Sequence, residues 1–249
     1  QHIYIQYNNF DRNLLIGELS KIRSRDRWAL VTVEPYPIDV SRRNQVLEDS
    51  VKGEFDSLID DVCSTFKEGI DTPVFIRWGH EMENVTGRYP WAVENGQLYI
   101  DAYRHFVDRC RNVYQSGFYV WSPVGNKELN SYWPGGEYAD FVGLSVYGLP
   151  EFDKKYYGKI RSMEENLKEK VDRITGFGKP IIIAEIGING DKYFQNQWIK
   201  EGFKALDKYP QVKTLVYFNS KDNEGAWEVG FGIPDWSIDP EIWEKANVN

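Results

Sequence analysis

Two acidic residues stand where chemistry could be done. The first lies in Arg77-Trp78-Gly79-His80-Glu81-Met82-Glu83, the second in Ile182-Ile183-Ala184-Glu185-Ile186-Gly187. Each glutamate follows a short apolar run, one beside His80 and close to Arg77, the other just before a glycine. A strand-end acid often does no more than pair with an arginine or cap a helix. Two such acids in these settings are harder to assign to structure alone. A pair of carboxyl groups, one protonated and one ionised, is what cleavage of a glycosidic bond requires. The protonated group helps the leaving oxygen depart, and the ionised one attacks or shields the positive charge that develops at the anomeric carbon. Arg77 is the cation expected to keep the second carboxyl ionised.

Metal chemistry fits less well. A zinc-protease helix needs a second histidine four residues after the first, and position 84 is Asn. The only histidines are His2, His80 and His105, and the two cysteines lack ligand spacing. No metal and no cofactor are expected.

The elements that would position these acids are short β-branched and aromatic runs. They are 2–7, 29–34, 73–78, 117–122, 141–147, 180–186 and 214–219, with amphipathic stretches such as 53–67, 98–114, 163–175 and 196–209 between them. Strands separated by helices pair in parallel, because a helix is the economical way to return the chain. Runs as apolar as Ile181-Ile182-Ile183-Ala184 are expected to be buried on both faces. Seven such units suit an open doubly wound sheet or an α/β barrel. The barrel is favoured because no glycine-rich phosphate loop follows the first strand. Polar and aromatic residues also gather at the strand ends: Glu34, His80 with Glu81, Trp121 with Ser122, Tyr147, Glu185 and Asn219. A barrel brings such ends around one mouth. A complete barrel has eight strands, one more than the sequence offers.

The 249 residues are 41% hydrophobic and 27% charged, with no repeat or linker, and read as one domain spanning 1–249. The net charge of −8 gives no reason to bind nucleic acid or an anionic membrane. No apolar run is long enough to span a bilayer, and no signal peptide is recognisable; a processed N-terminus would account for a chain that starts in a strand pattern. Nine Trp and sixteen Tyr could build a core or line a groove that stacks on sugar faces. Cys63 and Cys110 fall in helical segments and are expected as buried free thiols, a disulfide being the alternative. Asn84-Val85-Thr86 is a glycosylation sequon.

The motifs resemble glycoside hydrolase family 26, a family of retaining (β/α)8 glycosidases. Its acid/base glutamate follows a histidine in a strand-4 motif of the form R-x-x-H-E-M, read here as Arg77 to Met82, and its nucleophile ends strand 7, as in Ala184-Glu185-Ile186-Gly187. Val33-Glu34-Pro35-Tyr36, Gly53-Glu54-Phe55-Asp56, Tyr119-Val120-Trp121-Ser122-Pro123, Tyr132-Trp133-Pro134-Gly135, the stretch 141–147 and Asp235-Trp236-Ser237-Ile238-Asp239 are similar to other parts of the family pattern. The resemblance implies Glu81 as acid/base and Glu185 as nucleophile, about 5–5.5 Å apart rather than the roughly 6.5–9.5 Å of inverting enzymes. It also implies that 2–7 is the family's second strand and that the first is absent, a miscounted strand being the alternative. Tyr147 matches a strand-6 tyrosine that sits near the nucleophile. Trp91, Trp133 and Tyr147 are candidates for stacking on sugar, with His80, Arg77, Trp121 and Asn219 as further substrate contacts.

Two departures bear on the substrate. Glu83 stands where many members carry Asn, and Glu34-Pro35-Tyr36 stands where mannan-cleaving members often have a Trp-His pair. The expected activity is therefore endo-hydrolysis of a β-1,4 or mixed-linkage β-glucan, with β-mannanase as the alternative. A non-catalytic polysaccharide-binding barrel is the reading from another class. The expected partner is a β-linked polysaccharide or oligosaccharide, met by a monomer outside the cytoplasm.

Overall fold

The computed structural model describes residues 1–126 and 128–246. The chain packs as two compact units, Gln1–Gly143 and Leu144–Asn249. The first contains β1 (His2–Gln6), α1 (Arg12–Ser24), β2 (Leu30–Glu34), α2 (Val46–Val51), α3 (Asp56–Gly69), β3 (Phe75–Trp78), α4 (Gly96–Val113), β4 (Phe118–Trp121) and the start of β5 (Phe141–Gly148). Each strand pairs in parallel with the next. His2 lies level with Leu30, Leu30 with Phe75, and Phe75 with Phe118, while Val120 meets Phe141. This register brings Gln6 beside Glu34 at the C-terminal ends of β1 and β2.

The second unit holds the rest of β5, then α5 (Pro150–Tyr157), α6 (Met163–Ile174), β6 (Ile181–Ile188), α7 (Lys192–Ala205), β7 (Val212–Tyr217) and α8 (Pro240–Ala246). β5 neighbours β6, and β6 pairs in parallel with β7, Ile181 opposite Val212 and Ile186 opposite Tyr217. Seven strands are thus present among the described residues, each within a few residues of the run read from the sequence.

Local chemistry explains where the helices start. The Asp11 carboxylate accepts from the Leu14 N–H at 2.9 Å and Asp191 from the Phe194 N–H at 2.9 Å, so α1 and α7 each begin on a side-chain cap. Ser162 and Glu165 form a reciprocal capping box at the start of α6. Every residue of β2 and β6 is buried, as continuous apolar strands require, whereas β7 leaves Lys213 and Thr214 exposed.

The core of the first unit forms where α4 lies on β3. Trp78 stacks on Phe106 with centroids 5.5 Å apart, meets Tyr103 edge-on, and donates its indole N–H to the Tyr7 hydroxyl at 2.9 Å. Burying an aromatic side chain of this kind contributes about 1.5–3 kcal/mol. Trp78, Trp91, Trp121 and Trp236 are all fully buried, so much of the tryptophan excess is core rather than groove.

Cys63 and Cys110 are not free thiols. They form a disulfide that joins α3 to α4, with Cα atoms 5.5 Å apart. Helical periodicity correctly puts both on buried faces. That the two faces meet each other is a tertiary fact with no local signature.

Candidate active site

In the first unit the chain leaves β3 through a tight turn. Gly79 has φ 52° and Glu81 φ 57°, both left-handed. At position 79 an added Cβ would meet Tyr99 and Trp91 at ordinary contact distances of 3.4 and 3.6 Å, so it is the positive φ that calls for glycine there. A non-glycine residue held left-handed costs about 1–3 kcal/mol, so the surroundings must over-determine Glu81. They do so with backbone bonds. The Glu81 N–H donates to the Ser122 carbonyl at 2.8 Å, the Glu81 carbonyl accepts from the Asn84 N–H at 3.0 Å, and the Gly79 N–H donates to the Val33 carbonyl at 3.1 Å. Glu81 itself is half-buried, so its side chain retains access to solvent.

The side chains around this turn form its base. His80 is buried, with Nε2 3.2 Å from the Tyr89 hydroxyl, and its carbonyl accepts from the Trp91 indole N–H at 2.6 Å. Arg77 is fully buried; its Nε donates to the Ser122 hydroxyl at 2.9 Å and Nη1 to Thr32 at 3.3 Å. Glu34 accepts from the Gln6 amide at 2.9 Å. Beside it, burial first and then the Glu34 charge raise the Tyr36 phenol above its ordinary pKa.

Three of the expected substrate contacts take a different role here. Trp91 has no exposed face, because the chain folds back after the turn and packs its ring on Tyr89, 4.8 Å away. It props His80 and has no surface for a sugar. Trp121 is likewise fully buried, edge-on to Trp133 at 5.0 Å, and only Trp133 of that pair is partly exposed. Arg77, expected at the substrate, is sealed among β-strand side chains and works as a cross-strand tie.

In the second unit, Glu185 is the fifth of the eight residues of the fully buried β6, which continues past it to Ile188 rather than ending there as the motif implied, and it is only 7% exposed. The Tyr147 hydroxyl, from β5, donates to its Oε2 at 2.6 Å. A phenol that donates to an ionised carboxylate makes a charge-assisted bond of the stronger kind. The Tyr147 ring is fixed by Trp236 at 4.7 Å, Trp227 at 6.0 Å and Phe218 at 6.3 Å. Both indoles donate to one oxygen of Asp222, at 2.9 Å from Trp227 and 3.1 Å from Trp236. The glycine of the Glu185 motif now has a reason. A Cβ on Gly187 would lie 2.9 Å from the Tyr147 ring and 3.2 Å from Trp236. Only glycine lets the phenol reach over β6 to the carboxylate. Asn219, expected at the substrate, instead uses its Oδ1 to accept from the Ile238 N–H at 3.0 Å and braces the following loop.

Trp227 and Asp222 were not singled out in the sequence. They lie in a stretch without strand or helix periodicity, where the aromatic count was the only signal.

Comparison with known proteins adds to this geometry. The pattern of Glycosyl hydrolase family 26 matches residues 34–218. The β-1,3-xylanase TXYA of Vibrio sp is 29% identical over 232 residues, covering 80% of this chain and 46% of that protein. The mannan endo-1,4-β-mannosidase A and B of Caldalkalibacillus mannanilyticus is 26% identical over 200 residues, covering 72% of this chain and 34% of that protein. The chain therefore spans half or less of the length of these relatives. Among solved structures, a modular endo-β-1,4-mannanase from Cellulomonas fimi superposes with a TM-score of 0.68 at 18% identity, covering 96% of this chain and 57% of that one. At that identity the likeness concerns fold, and the fold is that of the (β/α)8 barrels, with seven of the strands present among the described residues.

Proposed function

Given that the chain belongs to glycosyl hydrolase family 26, we propose that it cleaves the backbone of a β-linked polysaccharide by double displacement. Glu185 is the nucleophile and Glu81 the acid/base. In the first step a Glu185 carboxylate oxygen bonds to the anomeric carbon, while the Glu81 carboxyl gives its proton to the departing glycosidic oxygen. The product is a glycosyl ester on Glu185. In the second step the Glu81 carboxylate takes a proton from water as that water attacks the anomeric carbon, which releases Glu185 and leaves a sugar of retained configuration.

The observation that carries this reading is the Tyr147–Glu185 pair. A carboxylate within a buried strand, shielded from water and oriented by a phenol at 2.6 Å, has the preparation a nucleophile needs.

For the substrate, the name of one relative favours β-1,3-xylan, and the residues of the chain weigh against mannan. TXYA, with 80% of this chain aligned, is described as a β-1,3-xylanase. The Trp-His pair common among mannan-cleaving members is replaced by Glu34-Pro35-Tyr36. β-1,3-Xylan is the favoured polymer, and mannan the second reading, supported by the mannosidase at 26% identity. The β-glucan expected from sequence rests on the Glu34-Pro35-Tyr36 stretch alone.

Reducing-sugar release from β-1,3-xylan, β-1,4-xylan, galactomannan, glucomannan, mixed-linkage glucan and carboxymethylcellulose tests the proposal, with Glu81→Ala and Glu185→Ala run beside the wild type. Release from β-1,3-xylan that vanishes in both variants is expected. Release from mannans alone would promote the second reading, and activity that survives Glu185→Ala would overturn the assignment of the nucleophile.

A further inference from the structure

Glu83 is the residue of the His80-Glu81-Met82-Glu83 stretch for which the proposed reaction has no use, yet its side chain is committed. Its Oε1 accepts two backbone N–H groups from the loop after β4, Gly125 at 2.9 Å and Asn126 at 3.2 Å. Gly125, with φ 95°, adopts a conformation that suits glycine and lets two successive amides converge on one oxygen. Charge-assisted bonds of this kind are about twice as strong as neutral ones. The same loop is tied to the same turn at its other end, where the Ser122 carbonyl accepts the Glu81 N–H at 2.8 Å. Residues 81–83 and 122–126 therefore close a ring of hydrogen bonds, with Glu81 at one corner and Glu83 at the other.

Such a ring matters because Glu81 is left-handed. A residue in that region relaxes when its restraints are loosened, and a change in its φ would swing the side chain away from its present direction. The Glu81–Ser122 bond fixes only the backbone nitrogen. The Glu83 carboxylate, two residues on, fixes the far side of the turn against the β4 loop. A shorter side chain at 83 would remove both bonds to the loop, those from Gly125 and Asn126.

We propose that Glu83 is the positioning residue of the acid/base: it clamps the β4 loop to the turn and so sets the direction of the Glu81 carboxyl. The inference rests on Glu81 acting as the proton donor. It does not depend on which polysaccharide is cleaved.

The test compares wild type, Glu83→Ala, Glu83→Gln and Glu81→Ala on two substrates. One is the polymer the wild type cleaves. The other is the 2,4-dinitrophenyl β-glycoside of its disaccharide unit, whose leaving group departs without a proton. The quantity read is kcat/KM, which reports the first chemical step, together with the thermal midpoint. General acid catalysis contributes about 10²–10⁴-fold, and misplacing a catalytic group by an ångström can cost about 10²-fold. Glu83→Ala is thus expected to lose roughly 10- to 100-fold on the polymer but less than about threefold on the dinitrophenyl glycoside. Glu83→Gln keeps an oxygen for both amides without the charge, should fold as the wild type does, and should fall between. Equal losses on both substrates, or a Glu83→Gln enzyme as impaired as Glu83→Ala on both, would mean a general structural role and would overturn the proposal. If Glu81→Ala itself showed no dependence on the leaving group, the acid/base reading would fail, and that result is distinct from a failure of the clamp.

Discussion

Replacing Tyr147 by Phe removes one oxygen atom and, with it, the hydroxyl that donates to Glu185 at 2.6 Å. The ring should stay in place, because Trp236, Trp227 and Phe218 surround it at 4.7, 6.0 and 6.3 Å. Glu185 is 7% exposed, so bulk water cannot readily replace the lost donor. A hydrogen bond to a charged group is worth about 1.5–3 kcal/mol. At about 1.36 kcal/mol per decade of rate, full loss of that orientation lowers kcat/KM by roughly 10- to 160-fold. The assay is initial-rate sugar release from the polymer cleaved best by the wild type, with a thermal melt alongside. A stability change of about 1 kcal/mol would move the midpoint by only about 2–4 °C in a chain of this size. The prediction is a large fall in rate with a small change in melting. A rate within twofold of wild type would show that the hydroxyl does not orient the nucleophile, and the argument for Glu185 would lose its main structural support. A fall in rate matched by a fall in midpoint well beyond those few degrees would point to packing instead.

Three further predictions follow from the same geometry. The Cys63–Cys110 disulfide spans 47 residues, for which loop-closure entropy gives a stabilisation of about 4 kcal/mol at 25 °C; dithiothreitol, or the double change to Ala, should lower the urea midpoint accordingly, and an unchanged midpoint would contradict the pairing. In Gly187→Ala the new methyl would press on the Tyr147 ring at 2.9 Å, so overpacking of about 1–3 kcal/mol is expected with a loss of activity at least as large as in Tyr147→Phe; wild-type rates in this variant would refute the close approach. Trp91→Phe removes the donor to the buried His80 carbonyl and should cost about 1–3 kcal/mol of stability while leaving KM unchanged; a raised KM with an unchanged melt would restore Trp91 as a sugar platform.

How much of this was legible in the sequence differs from residue to residue. The β6 strand could be read from four successive apolar residues, and all eight of its positions are buried. Glu185 and Glu81 stood out because a carboxylate after such a run is an exception to its composition. α7 starts at Lys192, four residues ahead of the expected Asn196, since the Asp191 cap rather than apolar period sets where a helix begins. Trp91 was placed at the substrate because it follows the acid/base motif closely in sequence. The left-handed turn at Gly79 and Glu81 reverses the chain, and proximity in sequence then became burial beneath the motif. The disulfide and the Asp222–Trp227–Trp236 brace escaped for a shared reason: each joins segments whose closeness is set by the packing of other elements, and neither leaves a period or spacing of its own.

The most direct test of the central claim is to trap the covalent intermediate. The protein is incubated with a 2,4-dinitrophenyl 2-deoxy-2-fluoro-β-glycoside of the sugar it cleaves, digested with pepsin, and the labelled peptide sequenced by mass spectrometry. A single added glycosyl group on Glu185, absent from Glu185→Ala, is the predicted result. A label on another carboxylate, or inversion at the anomeric carbon during normal hydrolysis, would contradict the account.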